Sequence, residues 1–219
     1  QCVNLLGESS EKIKAIGISG QQHGLVVLDE NDQVIRPAKL WCDTSTVEQC
    51  LQFSNEFGGS SGLIRISGNN MLPGYTVPKV LWLKQNEPEN YNRVRSVLLP
   101  HDYINFWLTG VKRMEYGDAS GTGLLNITER NWCEDLIRFV GPEMQDMLPE
   151  LGSSLSVHGV VKSEVQKECG LPNDVVVSAG GGDNMMGAIG TGNVKAGVVT
   201  ASFGTSGTLY GVSDSPAID

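Results

Sequence analysis

The chain has 219 residues, 40% of them hydrophobic, enough for one sizeable core or a core plus part of another. A formal net charge of −9 with no run of Lys or Arg argues against duplex DNA and anionic membranes as partners, because both are bound through clustered cations. No apolar run approaches the roughly 18 residues of a membrane span, nothing at the amino end reads as an export signal, and five cysteines without a C-x-x-C pair imply reduced thiols, so a cytoplasmic protein is expected.

In chain order, Lys12 to Ser19 is an apolar, β-branched run that predicts a buried strand, ending in the loop Gly20-Gln21-Gln22-His23-Gly24. Leu25 to Leu28 and Val34 to Ile35 flank a cluster of turn residues, which predicts an antiparallel hairpin. Ser45 with Glu48 matches a capping box, so a helix is expected to run from there to Gly58-Gly59. A second helix is predicted from Thr76, with Pro78 in its first turn, to Glu87-Pro88. Val94 to Leu99 reads as a strand. His101 to Leu108, Glu134 to Val140 and Ser163 to Cys169 read as helices, each closed by a glycine. Val175 to Ala179 is a predicted strand feeding Gly180-Gly181-Gly182-Asp183-Asn184, with Met185 to Ile189 helical after it. Val198 to Phe203 and Thr208 to Val212 are expected as two strands around Gly204-Thr205-Ser206-Gly207. Strands and helices thus alternate in an α/β order.

Three loops could carry chemistry. The glycine turn before Asp183 and Asn184 presents a carboxylate and an amide at a helix start, where a ligand can approach the backbone; Asp183 could equally be only a helix cap. This turn matches neither the dinucleotide nor the Walker fingerprint. Gly204, Thr205 and Ser206 combine glycine and hydroxyls that suit a phosphate, although the same residues make an ordinary hairpin turn. Gln22 and His23 are neutral hydrogen-bonding groups that suit hydroxyls, and Trp41 offers an aromatic wall or a half-buried strand end. His101 and His158 lack comparable company, Asp118 to Gly123 reads as a turn without a role, and no His/Cys/carboxylate spacing suggests a bound metal. Net charge does not exclude a nucleotide, since backbone amides hold phosphates locally.

These blocks, together with Arg36 to Asp43, Gly68 to Lys79, Leu98 to Tyr103 and Asp118 to Thr122, resemble the FGGY carbohydrate kinases, and within them the xylulose-phosphorylating branch. The resemblance implies an actin-like (ribonuclease H-like) α/β fold of two domains with sugar deep in the cleft between them and ATP-Mg²⁺ above it. By the same resemblance, residues 1–175 are most of a sugar-binding first domain and 176–219 the start of a nucleotide-binding second one. The family's opening Asp-x-Gly-Thr phosphate loop is expected before residue 1, and most of the nucleotide domain after residue 219.

Asp183 falls on the family's catalytic aspartate, Gln22, His23 and Asn184 on sugar contacts, and Gly204, Thr205 and Ser206 on its second phosphate loop. Glycerol kinases carry Arg-Glu where this chain has Gln22-His23, which favours a ketose. The implied reaction is ATP-dependent phosphorylation of D-xylulose to D-xylulose 5-phosphate; ribulose, gluconate or glycerol kinases and a non-catalytic sugar-binding relative stay as alternatives. ATP with Mg²⁺ and a small-molecule sugar are the implied ligands, no residue of this chain is assigned to a metal, and a homodimer is left open.

Overall fold

The computed structural model describes residues 2–204 and 207–215. Its helices are α1 (Cys2–Leu5), α2 (Val47–Glu56), α3 (Gly59–Ser67), α4 (Thr76–Asn86), α5 (Pro88–Tyr91), α6 (Pro100–Thr109), α7 (Tyr116–Ser120), α8 (Glu134–Val140), α9 (Met144–Met147), α10 (Ser163–Cys169) and α11 (Asp183–Gly190). A three-stranded sheet orders β1 (Ala15–Ile16), β10 (Val176–Ser178) and β9 (Val157–Val160), the first pair parallel and the second antiparallel. Beside it, β2 (Ser19–Gly20) runs parallel to β11 (Gly181–Gly182), with Ser19 opposite Gly181 and Gly20 opposite Gly182. The other pairs are β3 (Val26–Leu28) with β4 (Ser96–Leu98), β5 (Arg113–Glu115) with β8 (Glu150–Gly152), β6 (Leu125–Asn126) with β7 (Asn131–Trp132), and β12 (Val199–Phe203) with β13 (Gly207–Gly211).

Two sequence expectations do not hold in the structure. The run from Lys12 to Ser19 is not one buried strand: Gly7–Lys12 forms a 3-10 turn, and the chain after it is broken into β1 and β2, both partly exposed. β1 is the edge of its sheet and pairs on one side only, with β10, so its apolar residues are not enclosed. The capping box at Ser45 is also absent. α2 begins one residue later, after Thr46, with no side-chain cap, and the Ser45 hydroxyl instead accepts from Nζ of Lys39 at 3.1 Å. The turn after Leu28 does close antiparallel, with Leu28 bridged to Val34, and the Asp29 carboxylate accepts from the backbone N–H groups of Asn31 and Gln33. The main partner of that strand is nevertheless β4.

The largest apolar cluster joins α2, α3, α4, α8 and α9 beneath β3 and β4, with Phe53, Leu63, Leu83, Leu136 and Met144 at 0–1% exposure. Phe53, Phe57 and Phe139 stack and tilt against one another there, at centroid separations of 4.8–6.4 Å. A second cluster packs Leu108 of α6 and Val165 of α10 onto Val175 and Val177, so the strand that leads into the glycine turn rests on solid packing. Among the described residues no helix is long and apolar enough to cross a membrane.

Candidate active site

The parallel ladder of β2 and β11 sets two loops side by side. β2 runs out into Gln21-Gln22-His23, and β11 runs out into Asp183-Asn184. The loops are joined directly, since Nδ2 of Asn184 donates to Oε1 of Gln22 at 3.3 Å. Gly182 leaves room for this: a Cβ there would stand 2.6 Å from Cγ of Gln22. Asp183 is the first residue of α11, and the cap position before it is held by Gly182, whose side chain can offer nothing. The Asp183 carboxylate is exposed, and its one hydrogen bond among the described residues comes from the amide of Asn184 next to it.

His23 is fixed from several sides. Its backbone lies in the left-handed region at φ 64°, uncommon without glycine. Nδ1 lies 2.7 Å from the carbonyl of Gly121. A carbonyl only accepts, so Nδ1 carries the proton and Nε2 is left as the ring's acceptor. Burial lowers the pKa of this ring, and the Gly121 hydrogen bond offsets that only in part, which keeps the ring neutral. Tyr75 stacks on it with centroids 4.7 Å apart. Gly121 is small of necessity, because a Cβ there would stand 2.7 Å from Nδ1 of His23.

Beneath the loop, Lys79 of α4 is fully buried. Its Nζ donates to the carbonyl of His23 at 2.8 Å and to that of Gly74. Burial brings this lysine down to about 8, and the nearby Asp43 carboxylate only partly opposes the fall. Trp41 reaches the same rim through its backbone: its carbonyl packs on Gly74, where a Cβ would stand 2.8 Å away, while its side chain is half exposed.

On the far side of Asp183, α11 and the β12–β13 hairpin enclose a pocket of about 220 Å³ lined by Asp183, Asn184, Thr200, Ser202, Thr208 and Tyr210 among others. Asn193 holds the hairpin to the helix, its Nδ2 donating to Oγ1 of Thr200 and to the carbonyl of Tyr210. Gly204 is exposed at the hairpin end; Thr205 and Ser206 lie outside the described residues.

The structure therefore brings Gln22, His23, Asp183 and Asn184 together and sets Trp41 at the rim. The model of the FGGY family of carbohydrate kinases, N-terminal domain, matches residues 1–190. The chain belongs to that family. It is 45% identical over 213 residues to the xylulose kinase of Haemophilus influenzae, an alignment that covers 96% of this chain and 43% of the relative. The xylulose kinase of Bacillus subtilis is 41% identical over 209 residues, covering 95% and 41%. Among solved structures, a xyloylose kinase from Brucella ovis superposes with a TM-score of 0.89 at 35% identity, covering 96% of this chain and 42% of that one. A gluconate kinase from Lactobacillus acidophilus gives 0.87 at 26% identity, covering 100% and 45%. The mixed α/β fold of this chain is thus that of the sugar kinases. The chain spans less than half the length of the relatives it matches.

Several residues of the site had no role in the sequence reading. Lys79 carried a signal, since it interrupts the apolar run Val77-Pro78-Val80-Leu81, where a lysine needs a reason to be buried. Tyr75 and Gly121 carried none, because they meet His23 only through the fold. His101, expected without company, lies in a buried cluster with Asp102, Asn105 and Asp118.

Proposed function

We propose that the whole protein is an ATP-dependent sugar kinase that converts D-xylulose to D-xylulose 5-phosphate, and that this chain supplies most of its sugar-binding domain, residues 1–175, and the start of its nucleotide domain, 176–219. The sheet β1-β10-β9 crosses that boundary and ties the glycine turn to the first domain. The observation that carries the proposal is the position of Asp183, free of a capping duty, between a neutral polar cluster on one side and a hydroxyl-lined pocket on the other. Relatives from Haemophilus influenzae and Bacillus subtilis, both xylulose kinases, support the substrate.

In this mechanism the sugar hydroxyls meet Gln22, Asn184 and Nε2 of neutral His23, with Trp41 as an apolar wall. Asp183 orients the terminal hydroxyl and takes its proton as the phosphoryl group arrives. Phosphoryl transfer depends chiefly on positioning and charge neutralisation, so an ordinary exposed carboxylate suffices. The hydroxyls of Thr200, Ser202 and Thr208 fit phosphate oxygens, and Gly204, Thr205 and Ser206 are assigned to the same role. ATP supplies the phosphoryl group, and its Mg²⁺ the neutralising charge.

The test is Asp183→Asn in the whole protein. Asn keeps the shape of Asp and an oxygen to accept from the Asn184 amide but cannot take a proton, and loss of a general base lowers turnover by roughly 10²- to 10⁴-fold. Turnover that collapses while xylulose still binds is the expected result; near-normal turnover would remove Asp183 as the base. Higher kcat/KM for glycerol or gluconate than for xylulose would remove the ketose.

A further inference from the structure

A buried polar cluster lies directly under the β2–β11 ladder. His101, on α6, is 1% exposed, and both of its ring nitrogens face acceptors. Nε2 lies 2.6 Å from the carbonyl of Ala179, the residue just before the glycine turn. Nδ1 lies 3.0 Å from Oδ2 of Asp118 on α7 and 3.3 Å from Oδ1 of Asp102 on its own helix. A carbonyl cannot donate, so Nε2 carries a proton. Nδ1 carries the second when the Asp118 carboxyl beside it is ionised, while burial raises the pKa of Asp118 and lifts that of Asp102 well above the ordinary carboxylate range. Asn105, one turn along α6, adds a second donor to the Ala179 carbonyl at 2.9 Å. The ring is walled by glycines of both site loops: a Cβ on Gly20 would stand 2.7 Å from Cβ of His101, and one on Gly180 would stand 3.3 Å from its Cδ2.

From this geometry we infer that His101 is a positioning residue: as an imidazolium oriented by Asp118 through Nδ1, it clamps the Ala179 carbonyl through Nε2 and thereby fixes the Gly180–Asp183 turn, and loss of the Nδ1 proton removes the Asp118 hydrogen bond that orients the ring and so loosens the clamp. The inference rests on the kinase reading only for its consequence in turnover. Burial alone would favour the neutral ring, but the hydrogen bond to Asp118 and the charge of Asp102 outweigh it and push His101 up to about 9. Other titratable groups face the cluster. Glu115, at the end of β5, accepts from the amide of Asp118; His158 of β9 and His23 of the sugar loop lie within charge range. Oδ1 of Asp118 and Oδ1 of Asp102 are buried without a hydrogen-bond partner among the described residues, and burial raises the pKa of both carboxyls, Asp102 well above the ordinary range, so the ring's countercharge falls to Asp118, which it hydrogen bonds.

NMR of the His101 ring in the whole protein tests the proton directly. The ring is expected to be doubly protonated at neutral pH and to titrate near 9, and in Asp118→Asn its titration should fall toward the ordinary range near 6.5. Sugar-dependent ATP turnover of Asp118→Asn should then drop roughly 10-fold or more as pH rises through neutrality, with the sugar KM little changed, since misplacing a catalytic group costs kcat. His101→Gln, whose amide can still donate to Ala179 but cannot titrate, should show no such limb and should retain more turnover than His101→Leu. A neutral wild-type ring at neutral pH, or the same pH profile in Asp118→Asn as in wild type, overturns the inference. If the wild-type protein phosphorylates no sugar, the kinase reading fails by itself. The ring titration, with amide exchange of Gly181 to Asp183 slowed by the charged ring and hastened in Asp118→Asn, then still decides the clamp.

Discussion

Lys79 illustrates how much of this site hangs on single buried groups. Replacing it by Met keeps the volume but leaves the His23 and Gly74 carbonyls without their donor, at about 1–3 kcal/mol each. Removing the desolvated charge offsets part of that loss, so we expect Lys79→Met to unfold with about 2–4 kcal/mol less stability in urea, with weakened sugar affinity as the His23 loop loosens. Unchanged urea unfolding would mean that the two effects cancel and that the lysine does not fix the loop. The parts of the site legible in the sequence were those that local chemistry marks: glycines where a ligand can come close, and Gln22, His23, Asp183 and Asn184 beside them. The parts not legible depend on distant packing. His23 meets Gly121 across 98 positions and Lys79 across 56, and His101 reaches Ala179 across 78, separations that no local pattern encodes.

At the scale of elements, the turn from β10 into β11 is tightly constrained. Gly180 sits at φ 69°, and a Cβ on it would collide with the backbone carbonyl oxygen of Ile18. An alanine there meets left-handed strain of about 1–2 kcal/mol and also a backbone clash that no side chain can relieve. Gly180→Ala should therefore lower the melting temperature and separate β2 from β11, with turnover lost ahead of the fold; a variant with wild-type melting and turnover would show that the turn has slack. The elements most legible in the sequence are those with clear end signals. α4, α6, α8 and α10 appear within a residue or so of the expected bounds, because proline starts and glycine stops act locally. α3 is hidden because Gly58-Gly59 reads as a stop, whereas Gly58 at φ 78° ends one helix and Gly59 opens the next. β1 reads as buried because its residues are apolar, yet burial depends on neighbours, and an edge strand has few.

Across the whole molecule, the buried ionisable groups set how stability responds to pH. Hydrogen bonds to Lys84 and Tyr91 hold Glu143 below its ordinary range in spite of some burial, and backbone amides do the same for Asp29. Their contribution is present above the ordinary carboxylate pKa and is lost as pH falls through the lowered value. His23 and His158 are lowered by burial, so acidification through 6.5 also costs stability, because the unfolded chain takes up their protons first. His101 runs the other way. Raised from 6.5 to about 9, its stabilisation is complete below 6.5 and is lost as pH rises to about 9. Lys79, lowered to about 8, opposes this only above that pH, where the folded chain gives up a proton that the unfolded chain keeps. Burial raises the pKa of Asp102 and of Asp118, so their contribution, like that of His101, is lost as pH rises above the ordinary carboxylate value. The opposing directions meet at an intermediate pH, and the melting temperature should decline on both sides of it. His101 contributes the part of the alkaline limb that lies between its own two pKa values. Melting curves of wild type and His101→Gln should differ most below pH 6.5 and converge toward 9, the interval bounded by the two pKa values. A stability difference that is constant across that interval would mean that His101 keeps the same protonation folded and unfolded, and the alkaline limb would then have to come from another group.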